Sequence, residues 1–254
     1  MYKNPLKEKL QKKQAVTGCM IQGCFPALVE ICGLAGFDFV FLDAEHGPLS
    51  PRDCEELVRA AEARGVVPLL RVPNAAGDTI LRFMDTGLMG VILPGVSTKE
   101  EAQQAVQAVK YYPEGRHGLN AVRASDYGMR GPLSEYVVEA NRQTVVLAII
   151  ENLTAIANLE AILAVDGIDG AILGTADLSQ SLGIPGQGKH DKLQAAYRDF
   201  VGRGLKAGKP LGTVVRPGES AGEYLEAGLT ILLTSAYSLF GTAAKRFVGE
   251  FKQQ

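Results

Sequence analysis

Short apolar runs alternate along this chain with longer segments of helical periodicity. The runs are GCMIQ (18–22), FDFVFLD (37–43), VVPLLRV (66–72), GVILPGV (90–96), VVLAIIE (145–151), GAILG (170–174), LGTVV (211–215) and TILLTS (230–235). Runs of this length, rich in Val, Ile and Leu and separated by helical patterns, predict parallel strands buried on both faces. A doubly wound sheet commonly has five or six strands; eight such units in 254 residues predict closure into a (β/α)8 TIM barrel, formed as one domain over residues 1–254.

The intervening segments carry start and stop signals of helices. Ser50, Pro51 and Asp53 read as a capped start, and Ser97 with Glu100 has the spacing of a capping box. Gly87 and Gly208 fall where helices stop. The longest irregular stretch, about residues 111–143, holds Arg123, Tyr127, Gly128 and Gly131. A lid and an oligomer contact are both open readings of it.

Charge is nearly balanced, 26 basic against 28 acidic residues, so no field draws the chain toward nucleic acid or an anionic membrane. No apolar run approaches the roughly 20 residues of a spanning helix. The opening MYKNPLKEKLQKKQ is polar and basic with no signal-peptide core behind it, and a cytoplasmic protein is expected. The four cysteines, Cys19, Cys24, Cys32 and Cys54, lack zinc-site spacing and are expected as reduced, buried thiols.

In a barrel, polar residues at strand C-terminal ends converge on the face where chemistry occurs. Five ends carry suitable groups: Asp43-Ala44-Glu45-His46, Arg71, Pro94-Gly95, Glu151, and Gly174-Thr175-Ala176-Asp177. Glu151 and Asp177, at the same end of adjacent strands, form a pair of hard oxygen ligands suited to a divalent ion such as Mg2+ or Mn2+. Helix capping is the other reading of both. Arg71 ends an apolar strand, where a guanidinium needs an anion. That anion is either a substrate carboxylate or enolate, or Asp43 or Glu45 across the mouth. His46 is a candidate proton carrier held by Asp43. Thr175 and Ala176 lead into a helix start whose N–H groups suit a carboxylate. His117 and His190 are expected to be solvated. No strand candidate contains a lysine, which argues against Schiff-base chemistry.

At these residues the chain resembles the class II, metal-dependent pyruvate aldolases of the HpcH/HpaI aldolase family, which act on substrates such as 4-hydroxy-2-oxoheptanedioate and 2-dehydro-3-deoxyglucarate. The resemblance is carried by AGFDFVFLDAEHGP (35–48), LLRVPN (69–74), LRFMDTGLMGVILPGV (81–96), YYPEGRHGLNAVRAS (111–125), IIENLTAIANLEAIL (150–163) and VDGIDGAILGTADLS (165–179). It implies an aldehyde-lyase with a barrel of the phosphoenolpyruvate/pyruvate type. Glu151 and Asp177 would ligate Mg2+, or Mn2+ or Co2+. Arg71 would stabilise the enolate of pyruvate or another 2-oxo acid, and His46, oriented by Asp43, would move the proton of the aldol oxygen. Glu45 would order water. Asp85 would act across a subunit interface in a homohexamer with a swapped C-terminal helix, and the second substrate would be an aldehyde.

Three positions depart from the family pattern: Ile149 where glutamine is common, Thr175 where proline is common, and Ser235-Ala236-Tyr237 where an aspartate is usual. All three fall near the expected substrate and leave its identity open, with oxaloacetate decarboxylation a possible side activity. A lyase of CoA thioesters of the citryl-CoA or malyl-CoA type, and a barrel that has lost catalysis, are the competing expectations.

Overall fold

The computed structural model describes residues 3–252. Eight parallel strands close a barrel in chain order: β1 (Val16–Ile21), β2 (Phe39–Asp43), β3 (Val67–Arg71), β4 (Gly90–Leu93), β5 (Val145–Ile150), β6 (Gly170–Leu173), β7 (Leu211–Val214) and β8 (Ile231–Ser235). Every strand falls on an expected apolar run, with ends shifted by a few residues. The helices are α1 (Pro5–Gln11), α2 (Pro26–Leu34), α3 (Pro51–Arg64), α4 (Gly77–Met84), α5 (Lys99–Val109), α6 (Leu133–Gln143), α7 (Leu153–Ala157), α8 (Leu159–Leu163), α9 (Thr175–Ser181), α10 (Asp191–Ala207), α11 (Ala221–Glu226) and α12 (Ala236–Lys252). No helix among the described residues is long and apolar enough to cross a membrane.

The period of two along each strand divides the apolar residues into two cores. Phe39 and Phe41 of β2, Val67 and Leu69 of β3, Val145, Leu147 and Ile149 of β5, and Ile231 and Leu233 of β8 fill the barrel interior. Their alternates, among them Val40, Leu42, Leu70, Val146 and Ala148, pack outward under the helices.

The basic N-terminal segment folds as α1, an element the sequence pattern did not suggest. Asn4 caps it by accepting N–H bonds from Leu6 and Lys7, while Leu6 and Leu10 plug the lower end of the interior core. Lys7 Nζ reaches Asp169 at 2.6 Å and the Thr144 carbonyl at 3.0 Å, tying the plug to the bottom of β5 and β6. Seven residues, about two turns, with only Leu6 and Leu10 on the buried apolar face give too weak a periodicity to be read without the tertiary partner.

The start of α3 is the expected one, with a reciprocal Ser50–Asp53 capping box, and α10 stops at Gly208 in the left-handed region (φ +76°). The start of α5 differs from expectation by one residue: Thr98, not Ser97, is the cap, and Glu101, not Glu100, completes the box. Thr98 adopts the extended backbone that a cap requires (φ −132°, ψ 164°). The stretch expected to be irregular contains a 3-10 segment, Arg123–Gly128, and then α6. Pro132 opens α6 without a side-chain cap, which removes the usual sequence signal. Three thiols are buried as expected, but Cys24 is exposed, because it lies in the loop between β1 and α2.

Candidate active site

The register that fills the barrel also aims the site. Positions 39 and 41 point inward and are followed by Asp43; positions 67 and 69 by Arg71; positions 145, 147 and 149 by Glu151. Each polar residue is thus the next inward step of an apolar series, at the strand end where the interior core stops. Asp43 and Arg71 are direct register partners of β2 and β3. The guanidinium binds the Asp43 carboxylate through two bonds, Nε–Oδ1 at 2.9 Å and Nη2–Oδ2 at 2.7 Å, and its Nη1 lies 3.2 Å from Glu45 Oε2. Phe41 packs beneath it, 5.4 Å from ring centroid to Cζ. Both carboxylate partners weighed for Arg71 are therefore present.

Asp43 is fully buried, and burial alone would push its carboxyl up. The bonds and charge of Arg71, with the N–H groups of His46 and Glu45, outweigh this and hold it below the ordinary value of 3.8. Two bonds from a guanidinium and two from main-chain donors make the ionised form the comfortable one.

Beside this pair a cavity of about 310 Å³ is lined by Glu45, His46, Glu151, Asn152, Asp177, Gln180 and Ser181. Glu151 Oε1 accepts the Gly95 N–H at 2.6 Å. Gly95 turns there with φ +67°, a conformation that L side chains rarely adopt. Gly174 is equally constrained by space: a Cβ there would lie 2.9 Å from Glu151 Cβ. The Glu151 carboxyl is pushed above its ordinary value, first by burial and then by the charges of Glu45 and Asp177, with Gly95 and Arg71 acting against the shift. Glu45 is raised too, chiefly by burial.

Three carboxylates therefore crowd one mouth, and Arg71, paired with Asp43 and 3.2 Å from Glu45, leaves Glu151 and Asp177 without an ion pair among the described residues. The described residues gather no cluster of three or more His, Cys, Asp or Glu side chains around one point. Glu151 and Asp177 instead offer an all-oxygen pair whose mutual repulsion a hard divalent cation would relieve, with its other positions left to water or substrate oxygens. The donor set fits such an ion.

The remaining expected residues fall as follows. Asp43 reaches His46 through the main-chain N–H at 3.2 Å, and not through the ring as expected, because its two oxygens are occupied by Arg71. The half-exposed imidazole points its Nε2 to Glu45 Oε2, 3.8 Å away. Ala176 lies in the first turn of α9, which no side chain caps, and Thr175 lines a neighbouring cavity. Asp85 closes α4 and faces His117 Nε2 at 3.5 Å, outside the lining of the mouth. His117 is buried, not solvated: Nδ1 lies 2.8 Å from the Ala108 carbonyl because the 110–117 loop folds back onto α5. His190 caps α10. Ile149 is buried in the interior core, and the Tyr237 hydroxyl lies 3.4 Å from the Gln22 carbonyl. Gln22 itself was missed by the sequence reading. It follows β1 and its amide donates to Asp43 Oδ2 at 3.2 Å, and a polar residue directly after an apolar strand was the available signal.

Residues 17–236 match the HpcH/HpaI aldolase/citrate lyase family. The chain is 33% identical to a 5-keto-4-deoxy-D-glucarate aldolase of Escherichia coli O6:H1, across all of this chain and 98% of that one. It is 34% identical to a hydroxypyruvate/pyruvate aldolase of Cupriavidus necator, across 99% of this chain and 93% of that one. A solved HpcH/HpaI aldolase/citrate lyase family protein from Burkholderia cenocepacia J2315 superposes with a TM-score of 0.92 at 29% identity, covering 98% of this chain and 99% of the other. With likeness of sequence and barrel running nearly end to end, the chain belongs to the HpcH/HpaI aldolase/citrate lyase family.

Proposed function

We propose that this chain is a carbon-carbon lyase, an aldolase that cleaves or forms a 4-hydroxy-2-oxo acid through the enolate of pyruvate or a close 2-oxo acid, with residues 1–254 acting as one domain. The observation that carries the reading is the crowding of Glu45, Glu151 and Asp177 around one mouth beside a guanidinium fixed by Asp43. Glu151 and Asp177 would hold Mg2+, Mn2+ or Co2+, whose positive charge would polarise the 2-oxo group. Cleavage breaks the C3–C4 bond: the bonding pair passes to the keto-acid fragment as an enolate, and the C4 hydroxyl loses its proton to leave an aldehyde. Arg71 stabilises the negative oxygen as it develops, held ready by Asp43 without reorganisation. The uncapped N–H groups of Thr175 and Ala176 suit the substrate carboxylate. His46, beside Glu45 at the open edge, takes the hydroxyl proton or returns it through water.

Pyruvate with a short aldehyde should give an aldol product with Mg2+ or Mn2+ present and none after exhaustive treatment with EDTA. Full turnover in the stripped protein would overturn the reading. Because Glu151 ionises above its ordinary range, protons compete with the cation. Addition of Mg2+ is expected to raise the melting temperature at about pH 7.5, with the rise fading as the pH falls toward about 4.5.

We also propose that the protein works as a homo-oligomer, a hexamer by family resemblance, with α12 packed on a neighbouring copy. Of the residues of α12 only Ala236 is buried, while Phe240, Phe247 and Phe251 are 77%, 73% and 74% exposed. Such a row of phenylalanines is costly in water. Phe247→Glu with Phe251→Glu should reduce the mass seen by light scattering to that of a smaller species. An unchanged mass would exclude α12 from the contact.

A further inference from the structure

A second cavity, of about 440 Å³, opens behind the top of β7 between the starts of α10 and α11. Several of its polar groups have no partner among the described residues. Thr213, 2% exposed, presents its hydroxyl there with no hydrogen-bond partner among the described residues. Lys189 and Arg216 line the wall, and neither cation is paired with a carboxylate among the described residues. A Cβ at Gly188 would lie 3.6 Å from Arg216 Nη1, so the guanidinium lies over this turn. The opposite side has Tyr197 and Tyr224, edge to face with centroids 6.4 Å apart. Glu219 is occupied, accepting from the Arg216 N–H at 2.9 Å and the Tyr224 hydroxyl at 3.0 Å. Glu223 and the Tyr197 hydroxyl have no partner among the described residues.

From this set we infer a second ligand site, separate from the 2-oxo acid mouth, that binds a hydroxylated organic anion. Two unpaired cations meet the anionic group, and the positive end of α10 favours the same charge. The Thr213 and Tyr197 hydroxyls and the Glu223 carboxylate pair with ligand hydroxyls, while the tyrosine rings cover its C–H faces. A bare inorganic anion leaves most of these groups unmatched, and a neutral polyol leaves the cations unmatched. The site stands independently of the aldolase reading, but it shares Thr175 with the first turn of α9, two residues before Asp177, so its occupant lies next to the reaction mouth.

Titration calorimetry on the whole protein in EDTA tests the site, with D-gluconate, sorbitol and inorganic phosphate as probes. Gluconate should bind, with phosphate and sorbitol at least ~10-fold weaker. Lys189→Gln with Arg216→Gln, both at the surface, should weaken gluconate by at least ~10-fold, and Thr213→Val should weaken it with the fold retained by circular dichroism. Glu151→Gln should leave gluconate binding unchanged, which separates this pocket from the mouth. Absence of gluconate binding, equal binding of sorbitol or phosphate, indifference to the Lys189/Arg216 pair, or loss of binding in Glu151→Gln would each overturn the inference.

Discussion

Arg71→Ala is expected to lower aldol turnover by about 10²–10³-fold and to destabilise the fold in the same stroke. The guanidinium is the main partner of Asp43, a fully buried carboxylate. Removing one member of a buried pair strands the other, at about 3–5 kcal/mol. Loss of the donor facing the developing oxyanion lowers kcat by about 10²–10³-fold. The two effects separate in a second variant. Arg71→Met with Asp43→Leu removes both charges and should recover much of the stability in urea unfolding, with turnover still lowered. Recovery of turnover in that variant would remove Arg71 from the chemistry. The sign of the pH effect follows from Asp43, whose carboxyl lies below 3.8 in the fold. Its pairing stabilises the protein above the unfolded value, and that contribution is lost as the pH falls through the folded one. The stability gap between wild type and Arg71→Ala should therefore narrow as the pH falls, first as the stranded, buried Asp43 of the variant takes up a proton, and then below about pH 4 as the wild-type pairing is lost.

The opposite pattern is expected at Glu151. Here burial and the neighbouring carboxylates raise the carboxyl above 4.5, so the ionised form is the uncomfortable one. In the metal-free protein, stability falls as the pH rises through the unfolded value toward the raised folded one. Glu151→Gln keeps the shape, keeps an acceptor for the Gly95 N–H, and removes the repulsion. It should melt higher than wild type at about pH 7 without metal, and the difference should close in mild acid, where wild-type Glu151 is protonated. Turnover should drop by at least about 10³-fold, and Mg2+ should no longer raise the melting temperature. A variant that is less stable than wild type at neutral pH, or one still stabilised by Mg2+, would show that Glu151 serves the scaffold and not a cation. Gain of stability with loss of activity marks a residue whose charge is kept for chemistry.

Why these predictions were accessible from the sequence is visible in the strands. Val67, Leu69 and Arg71, or Val145, Leu147, Ile149 and Glu151, are single inward-facing series that change from apolar to charged at one step, so strand and site share one signal. Asp43 and Arg71 come together because β2 and β3 are neighbours and the two residues share a register position; chain order implied the neighbours, and the register comes from the structure. Other features depend on three-dimensional competition that a linear pattern does not encode. Asp43 was expected to orient the His46 ring, but its oxygens are taken by Arg71, and the ring turns to Glu45. His117 was expected in solvent and is buried, because the return of the 110–117 loop onto α5 is a matter of backbone pairing. The cap of α5 fell one residue late for a related reason: adjacent Ser97 and Thr98 offer equivalent hydroxyls, and backbone geometry selects between them. The cavity behind β7 draws on residues from 175 to 227 that no single sequence motif joins.

The mouth formed by Arg71, Glu151 and Asp177 is proposed to generate the enolate of a 2-oxo acid. Enolate formation is visible without any aldehyde, since it exchanges the methyl protons of pyruvate with solvent. Pyruvate incubated with the protein in D2O and followed by mass spectrometry should gain deuterium with Mg2+ or Mn2+ present, and should gain none beyond background in EDTA, in Glu151→Gln or in Arg71→Ala. Absence of exchange in the wild-type protein with every divalent ion tried, or exchange that persists undiminished in Glu151→Gln and Arg71→Ala, would contradict this proposal.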